Sequence, residues 1–344
     1  MSYTNGLDKP DLYFNTVLYT GDATSDRTIT NTFGTDFLWL KERNGTDWHH
    51  LWDKVRGDGK RIHTNNANAE SDLGTYIALV STGFKVSGGT YNNSGVPFVA
   101  WQWKANGSGS TNTDGSITST VSVNTTSGFS IVSYAGNSTS GATIGHSLGT
   151  TPSMIIVKSR TSAYNWAVYH SSVGATQYLR LNSTIASTTS STRWNDTAPT
   201  SSVFTLGNAV EVNETGGNYI AYCFAEKKGF SKFGSYTGNG NADGTFVYTG
   251  FKPAFLIIKR TDSTSNWRLW DSTRNTFNVA DKLLFPDTSD QELTSSSYYM
   301  DLLSSGFKIR NTNLDINASG GTYIYMCFAE NPLVGTNNIP ATAR

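Results

Sequence analysis

Charge is scarce in this sequence. Of 344 residues, 26 are Lys or Arg and 26 are Asp or Glu, a share of 15% with zero net charge; typical soluble chains carry roughly 25%. So sparse and balanced a set lacks the basic stripe that binding to a phosphate backbone relies on, and no nucleic-acid partner is expected. Long apolar runs are absent too. No stretch approaches the about 18 residues of a spanning helix, so no membrane insertion is expected. The opening MSYTNGLDKPDLYF has no apolar core of a secretory signal. The five histidines, His49, His50, His63, His146 and His170, form no H-E-x-x-H and no zinc-like spacing with cysteine. HSLG (146–149) and YHSS (169–172) set Ser beside His, but no G-x-S-x-G elbow precedes either. Catalytic residues, a metal centre and a cofactor are therefore not expected. No long 3.6-residue stripe is present, and only NTFNVADKLLF (275–285) reads as holding one helical turn.

Ser, Thr, Asn and Gly take the space that charge leaves. Such a surface is polar without being strongly charged, and it suits many tight turns and an extracellular or particle-borne protein.

What is present is repetition. YIAYCFAE (219–226) and YIYMCFAE (323–330) match at six of eight positions. The likeness runs upstream, where TPSMIIVKSRTSAYNW (151–166) lies over KPAFLIIKRTDSTSNW (252–267), a step of 101 residues from Lys158 to Lys259. A diverged copy comes first, with VLYTGD (17–22), GTDFLWLKERNGTDW (34–48), TGFKV (82–86) and FVAWQWKA (98–105). Each copy holds short apolar runs rich in branched and aromatic residues and flanked by Gly, Pro or Thr, which reads as strands. The predicted fold is all-β: three tandem β-sandwich or jelly-roll-like repeats of about 90–100 residues. The boundaries read are an attachment arm (1–13), a first repeat (14–105), a Ser/Thr/Gly-rich linker (106–127) with one strand near 117–123, a second repeat (128–228), a third (229–330) and a tail (331–344). KKGFSK (227–232) joins the last two repeats closely, so they are expected to pack as a rigid pair with the first more independent.

Side chains alternate across a strand. Ile220, Tyr222 and Phe224, with Ile324, Met326 and Phe328 and with Val99, Trp101 and Trp103, are expected to point into the sandwich cores. The smaller faces, with Ala221, Cys223 and Gln102, are expected to meet a neighbouring layer. Cys223 and Cys327 sit at equivalent places in separate domains, where the about 4–7 Å Cα separation of a disulfide is not expected, and they read as free buried thiols. Lys41, Lys158 and Lys259 each end an apolar strand and are expected to snorkel, amine in solvent. Trp48, Trp166 and Trp267 recur in register and read as packing residues. The slot occupied by Asp53, His170 and Asp271 reads as a turn cap rather than a catalytic position. NGNADG (239–244) starts like a calcium loop, but Gly250 stands where the bidentate Glu belongs, so a plain Asx turn is preferred. The surface-recognition candidates are aromatics that do not recur: Tyr164, Trp194, Tyr298 and Tyr299.

YFNTVLYTGD, NTDGSITSTVSVNTTSGFSIVSYAGN, HSLGTTPSMIIVK, NYIAYCFAEKKGFSKFGSYTGNGNADGTFVYTGFKPAFLIIKR and the terminal IPATAR together resemble virion structural proteins of tailed marine bacteriophages, proteins with tandem β-rich repeats often described as tail-fibre-like. The resemblance implies a place on the particle exterior, other virion proteins as partners, a homo-oligomer expected to be a trimer, and a glycan or protein of the host surface as target. It carries no catalytic residue. The leading expectation is a non-enzymatic tail-fibre or receptor-binding protein. A capsid decoration or vertex protein is the alternative. A glycan depolymerase is a third, for which Asp287 with Asp290 and Glu292 is the nearest acidic cluster to the carboxylate pair such chemistry needs.

Overall fold

The computed structural model describes residues 7–334; residues 1–6 of the arm and 335–344 of the tail lie outside. The fold is all-β, and α-helix among the described residues is confined to four-residue turns. The segment 275–285 is not helical: turns and bends lead into Lys282–Leu283, a short strand paired with Leu293–Thr294.

Three successive sheets share one strand order. In the first, β1 (Phe14–Thr20) lies beside the closing strand β4 (Pro97–Trp103), which lies beside β2 (Phe37–Glu42) and then β3 (His50–Asp53). In the second, β5 (Phe129–Ala135), β8 (Asn218–Phe224), β6 (Met154–Ser159) and β7 (Ala167–His170) repeat the order. In the third it is β9 (Ser231–Thr237), β12 (Thr322–Pro332), β10 (Phe251–Arg260) and β11 (Arg268–Asp271). All neighbours are antiparallel, so each closing strand is central and paired on both edges. Short cover sheets face each main sheet, such as Arg27–Thr30 with Gly83–Val86 and Ile77–Val80. Part of the segment read as a linker is structured: Ser110–Asn112 and Ser119–Asn124 extend the second sheet beyond β5.

A recurring Tyr-x-Gly fastens each sandwich. The Tyr19, Tyr134 and Tyr236 hydroxyls donate to the carbonyls of Tyr91, Val212 and Ile316 at 2.7, 2.8 and 2.7 Å. The glycine two residues on is required by close approach. A Cβ on Gly21, Gly136 or Gly238 would stand 2.0, 2.4 or 2.3 Å from the backbone oxygen of Asn93, Glu214 or Ala318.

The faces of the closing strands are the reverse of the expectation. Tyr219, Ala221 and Cys223 belong to the core of the second sandwich, Tyr323, Tyr325 and Cys327 to that of the third, and Phe98 and Ala100 to that of the first. The faces expected to fill the separate cores all point the other way, into one cluster shared by the three sandwiches. At its centre Trp103, Phe224 and Phe328, the same position of β4, β8 and β12, touch one another with centroid separations of 5.6–6.4 Å. Three sheets packed back to back leave a wide central space, which Val99, Trp101 and Trp103, Ile220, Tyr222 and Phe224, and Ile324, Met326 and Phe328 fill. Those nine side chains contribute roughly 14–27 kcal/mol of gross burial, at about 1.5–3 each. The first sandwich is therefore not independent: Phe14 packs on Phe255 and Phe37 on Tyr222, at 5.4 and 4.4 Å. Leu7, within the segment read as an arm, is also buried in this cluster.

Candidate functional site

Buried polar groups bridge the places where the sandwiches meet, and their contacts run in a cycle. At the seam of the second sandwich with the first, the Tyr222 hydroxyl donates to Asp53 Oδ2 at 2.8 Å. At the seam of the first with the third, Trp101 Nε1 donates to Asp271 Oδ2 at 3.0 Å. Both carboxylates are fully buried and each is also bound by the arginine three residues on, Arg56 or Arg274. Each caps its own turn as well, accepting from the Arg56 or Arg274 backbone N–H at 2.8 and 2.7 Å. At the third seam Met326 stands where Tyr222 and Trp101 stand and has no donor. There His170 replaces the aspartate, its Nε2 3.2 Å from the Tyr325 carbonyl and its Nδ1 accepting from the Ser172 N–H. Burial pushes the His170 imidazole down to about 4, with the Tyr325 bond pulling against it. A neutral ring of one tautomer serves both contacts. This slot is a turn cap, as expected, and beyond that a seam residue.

Two seams carry a second pair. Arg160 grips Glu70 through Nε and Nη2, both at 2.9 Å, and Arg43 grips Glu292 at 2.9 and 2.8 Å. Burial disfavours ionisation of Glu292, but Arg43 and Arg274 outweigh it and hold the carboxyl below its usual range.

The lysines do not snorkel. Lys41, Lys158 and Lys259 are fully buried and solvate their amines with backbone carbonyls. Lys158 reaches across a seam to Ala67 O at 3.1 Å and Lys259 to Thr184 O at 3.1 Å. Burial lowers Lys158 to about 7 and Lys41 and Lys259 to about 8. The strands end at a junction between bodies, not at solvent, so the amine has no water to reach. The tryptophan register also shifts. Trp166 and Trp267 are buried and donate across seams to His63 O and Arg180 O, each at 2.8 Å. In the first sandwich buried His49, not Trp48, takes that position next to the strand; Trp48 is 39% exposed.

Of the predicted recognition aromatics, Trp194 is a core residue, 2% exposed and edge-on to Tyr169. Tyr164 is half-buried and donates to Glu214 at 2.9 Å. Tyr298 is half-buried under the Arg268 guanidinium, 4.8 Å from its ring centroid; Tyr299 is half-buried beside it. The structure does not bring the four together. Among the described residues the exposed aromatics are others: Trp48, Tyr76, Phe246, Tyr248 and Phe277. Phe246 and Tyr248 share one face of the short edge strand Phe246–Tyr248, a signal that alternation could have supplied.

The acidic cluster is occupied. Asp287 accepts from Asn266 Nδ2 and from the Trp267 N–H at 3.0 and 3.1 Å, and burial raises its carboxyl to about 6. Asp290 accepts from Thr288, and Glu292 is bound by two arginines. In NGNADG the side-chain oxygens of Asn239 and Asn241 accept backbone N–H groups two residues on, both at 2.9 Å, as in Asx turns. Among the described residues no group of three or more His, Cys, Asp or Glu is placed to hold a metal ion.

The third seam has no Arg–Glu pair among the described residues. A cleft of about 460 Å³ lies there, walled by the second and third sandwiches.

A family model described as a domain of unknown function, DUF7483, matches residues 9–332. The chain belongs to this family. The matched region takes in all three sheets, so the DUF7483 unit is the whole closed assembly and not one sandwich. No curated protein and no solved structure matches the chain.

Proposed function

We propose that this protein is a structural component of a bacteriophage particle that contributes to attachment at the host surface, without catalytic chemistry of its own. The observation that carries the reading is the outward aromatic set on a rigid body of zero net charge. Phe246 and Tyr248 are 45% and 54% exposed on one strand face, and Phe277 is 77% exposed. Exposed apolar groups that lie together on one face mark contact surfaces. The buried charges support it from the other side, since the carboxylates of the seams serve packing and turn capping. The resemblance to virion proteins supplies the setting. The test is adhesion of purified protein to host cells. The Phe246→Ser, Tyr248→Ser and Phe277→Ser triple variant is expected to bind at least tenfold less than the wild type with an unchanged melting curve. Equal adhesion of the two, or none by the wild type, would overturn the reading.

Decoration of the capsid lattice or a vertex is the second reading. It is favoured by the compactness of the described residues, which close on a common core with no shaft among them. Antibody labelling of intact particles separates the two: label on the tail supports attachment, label on the head supports decoration.

A further inference from the structure

The three seams are built on one backbone contact. The Glu70 N–H donates to Arg160 O, Glu292 N–H to Arg43 O, and Ser187 N–H to Thr261 O, at 2.9, 2.7 and 2.9 Å. Glu70, Glu292 and Ser187 are therefore equivalent, as are Arg160, Arg43 and Thr261. In two seams the side chains at these places form a bidentate ion pair, and Arg160 also reaches Ser133 Oγ at 3.3 Å. At the third seam a serine and a threonine replace the pair, and Ser235, the counterpart of Ser133, faces them. The cleft of about 460 Å³ occupies the space that the guanidinium and carboxylate fill elsewhere.

Its chemistry is that of hydroxyls. Ser187, Ser235, Thr261 and Thr322 line it with Gln177. Thr261 Oγ1 lies 2.8 Å from Thr322 Oγ1 and 3.1 Å from the Thr322 carbonyl, so the Thr261 hydroxyl donates to Thr322 and keeps a lone pair for a ligand, while the Thr322 hydroxyl can donate outward. The one acid in the wall, Asp262, is bound by Arg260 at 2.8 Å, so the cleft presents no bare charge to attract an ion. It presents the Ser187 hydroxyl as an acceptor, its proton donated to Thr261 O at 3.0 Å, beside hydroxyls of Ser235 and Thr322 and the Gln177 amide that can both donate and accept, in a volume within the about 300–1,000 Å³ that holds small ligands. We propose that this seam is a saccharide site that takes one or two neutral sugar rings. The proposal rests on the attachment reading for its biological role and on the cleft alone for its chemistry.

The test rebuilds the missing pair. The Ser187→Glu, Thr261→Arg double variant places in the third seam what the other two already hold, so the fold is expected to persist. Saturation-transfer NMR is run with glucose, galactose, mannose, N-acetylglucosamine, lactose and cellobiose. At least one should receive saturation from the wild type, and its apparent affinity should fall at least tenfold in the double variant while the melting temperature holds or rises. Should the double variant not fold, Gln177→Ala on the rim is expected to weaken the same sugar at least threefold. No transfer to any of the six, or equal transfer in wild type and variants, would overturn the site. Host-cell adhesion read in parallel keeps the two proposals apart. Equal adhesion by wild type and double variant removes the cleft's part in attachment, whereas sugar binding without adhesion leaves the site standing and sinks the attachment reading.

Discussion

The Tyr222 hydroxyl of the second sandwich ends 2.8 Å from the Asp53 carboxylate of the first, both fully buried and Asp53 already held by Arg56. The contact ties strands more than a hundred residues apart, and it defines what each partner is worth. Asp53→Asn leaves the Arg56 guanidinium buried without its counter-charge and should cost about 3–5 kcal/mol. Tyr222→Phe removes one hydrogen bond to a carboxylate that keeps its other partners and should cost about 1–3 kcal/mol. Urea unfolding of both single variants and the double measures the coupling. A double variant as destabilised as the plain sum would show that the hydroxyl and the carboxylate do not act together.

Unfolding should be a single transition. The central cluster draws side chains from all three closing strands, so no sandwich can leave without exposing Trp103, Phe224 or Phe328. Calorimetry should give a van't Hoff enthalpy equal to the calorimetric one. Two resolved peaks would mean that one sandwich is a separate cooperative unit.

Acid should weaken the protein before its carboxylates titrate. Burial lowers His49, His50, His63, His146 and His170 below the ordinary imidazole range, His170 to about 4. Unfolded imidazoles take protons near 6.5 that the native ones refuse, so stability present above about pH 6.5 is lost as pH falls toward 4. His170 alone contributes on the order of 3 kcal/mol to that loss. Asp287, raised to about 6, works the other way over part of the window. The urea midpoint at pH 7.5, 5.5 and 4.5 should decline, and less steeply in His170→Gln. A flat profile in the wild type would contradict neutral burial of the histidines.

The two thiols should be silent in the folded protein. Cys223 and Cys327 are free and fully buried in separate sandwich cores, and burial raises both above the ordinary thiol range. A thiol reagent should count none under native conditions and both in denaturant. Reaction of either at native pH would place it nearer the surface than described.

The strands and the all-β class were legible because branched apolar runs flanked by turn residues admit little else. The free cysteines and the turn-capping slot followed from position within a repeat. Direction was not legible. Alternation marks two faces of β8 but not which is inside, and the larger face went to a core made by three sheets, a volume invisible to any single repeat. The same omission misplaced the lysines, whose expected solvent is another sandwich. Trp48 misled because an adjacent His49 took the buried place. The open seam left a trace that comparing the copies would have found: Asp53, Arg56, Glu70 and Arg160 have charged counterparts in Asp271, Arg274, Glu292 and Arg43, but His170, Val173, Ser187 and Thr261 stand at the remaining junction, where charge is lost at every place together.

Closing three sandwiches into a ring within one polypeptide breaks an obligation that identical subunits share. In a trimer of separate copies every substitution lands three times, and a change that opens one joint opens all. Here a single joint could lose its ion pair while its two siblings kept theirs, so rigidity and vacancy coexist in one body. Any such opening is present once per chain, and the number of contacts a particle could make through it scales with how many chains it displays, not with the internal threefold.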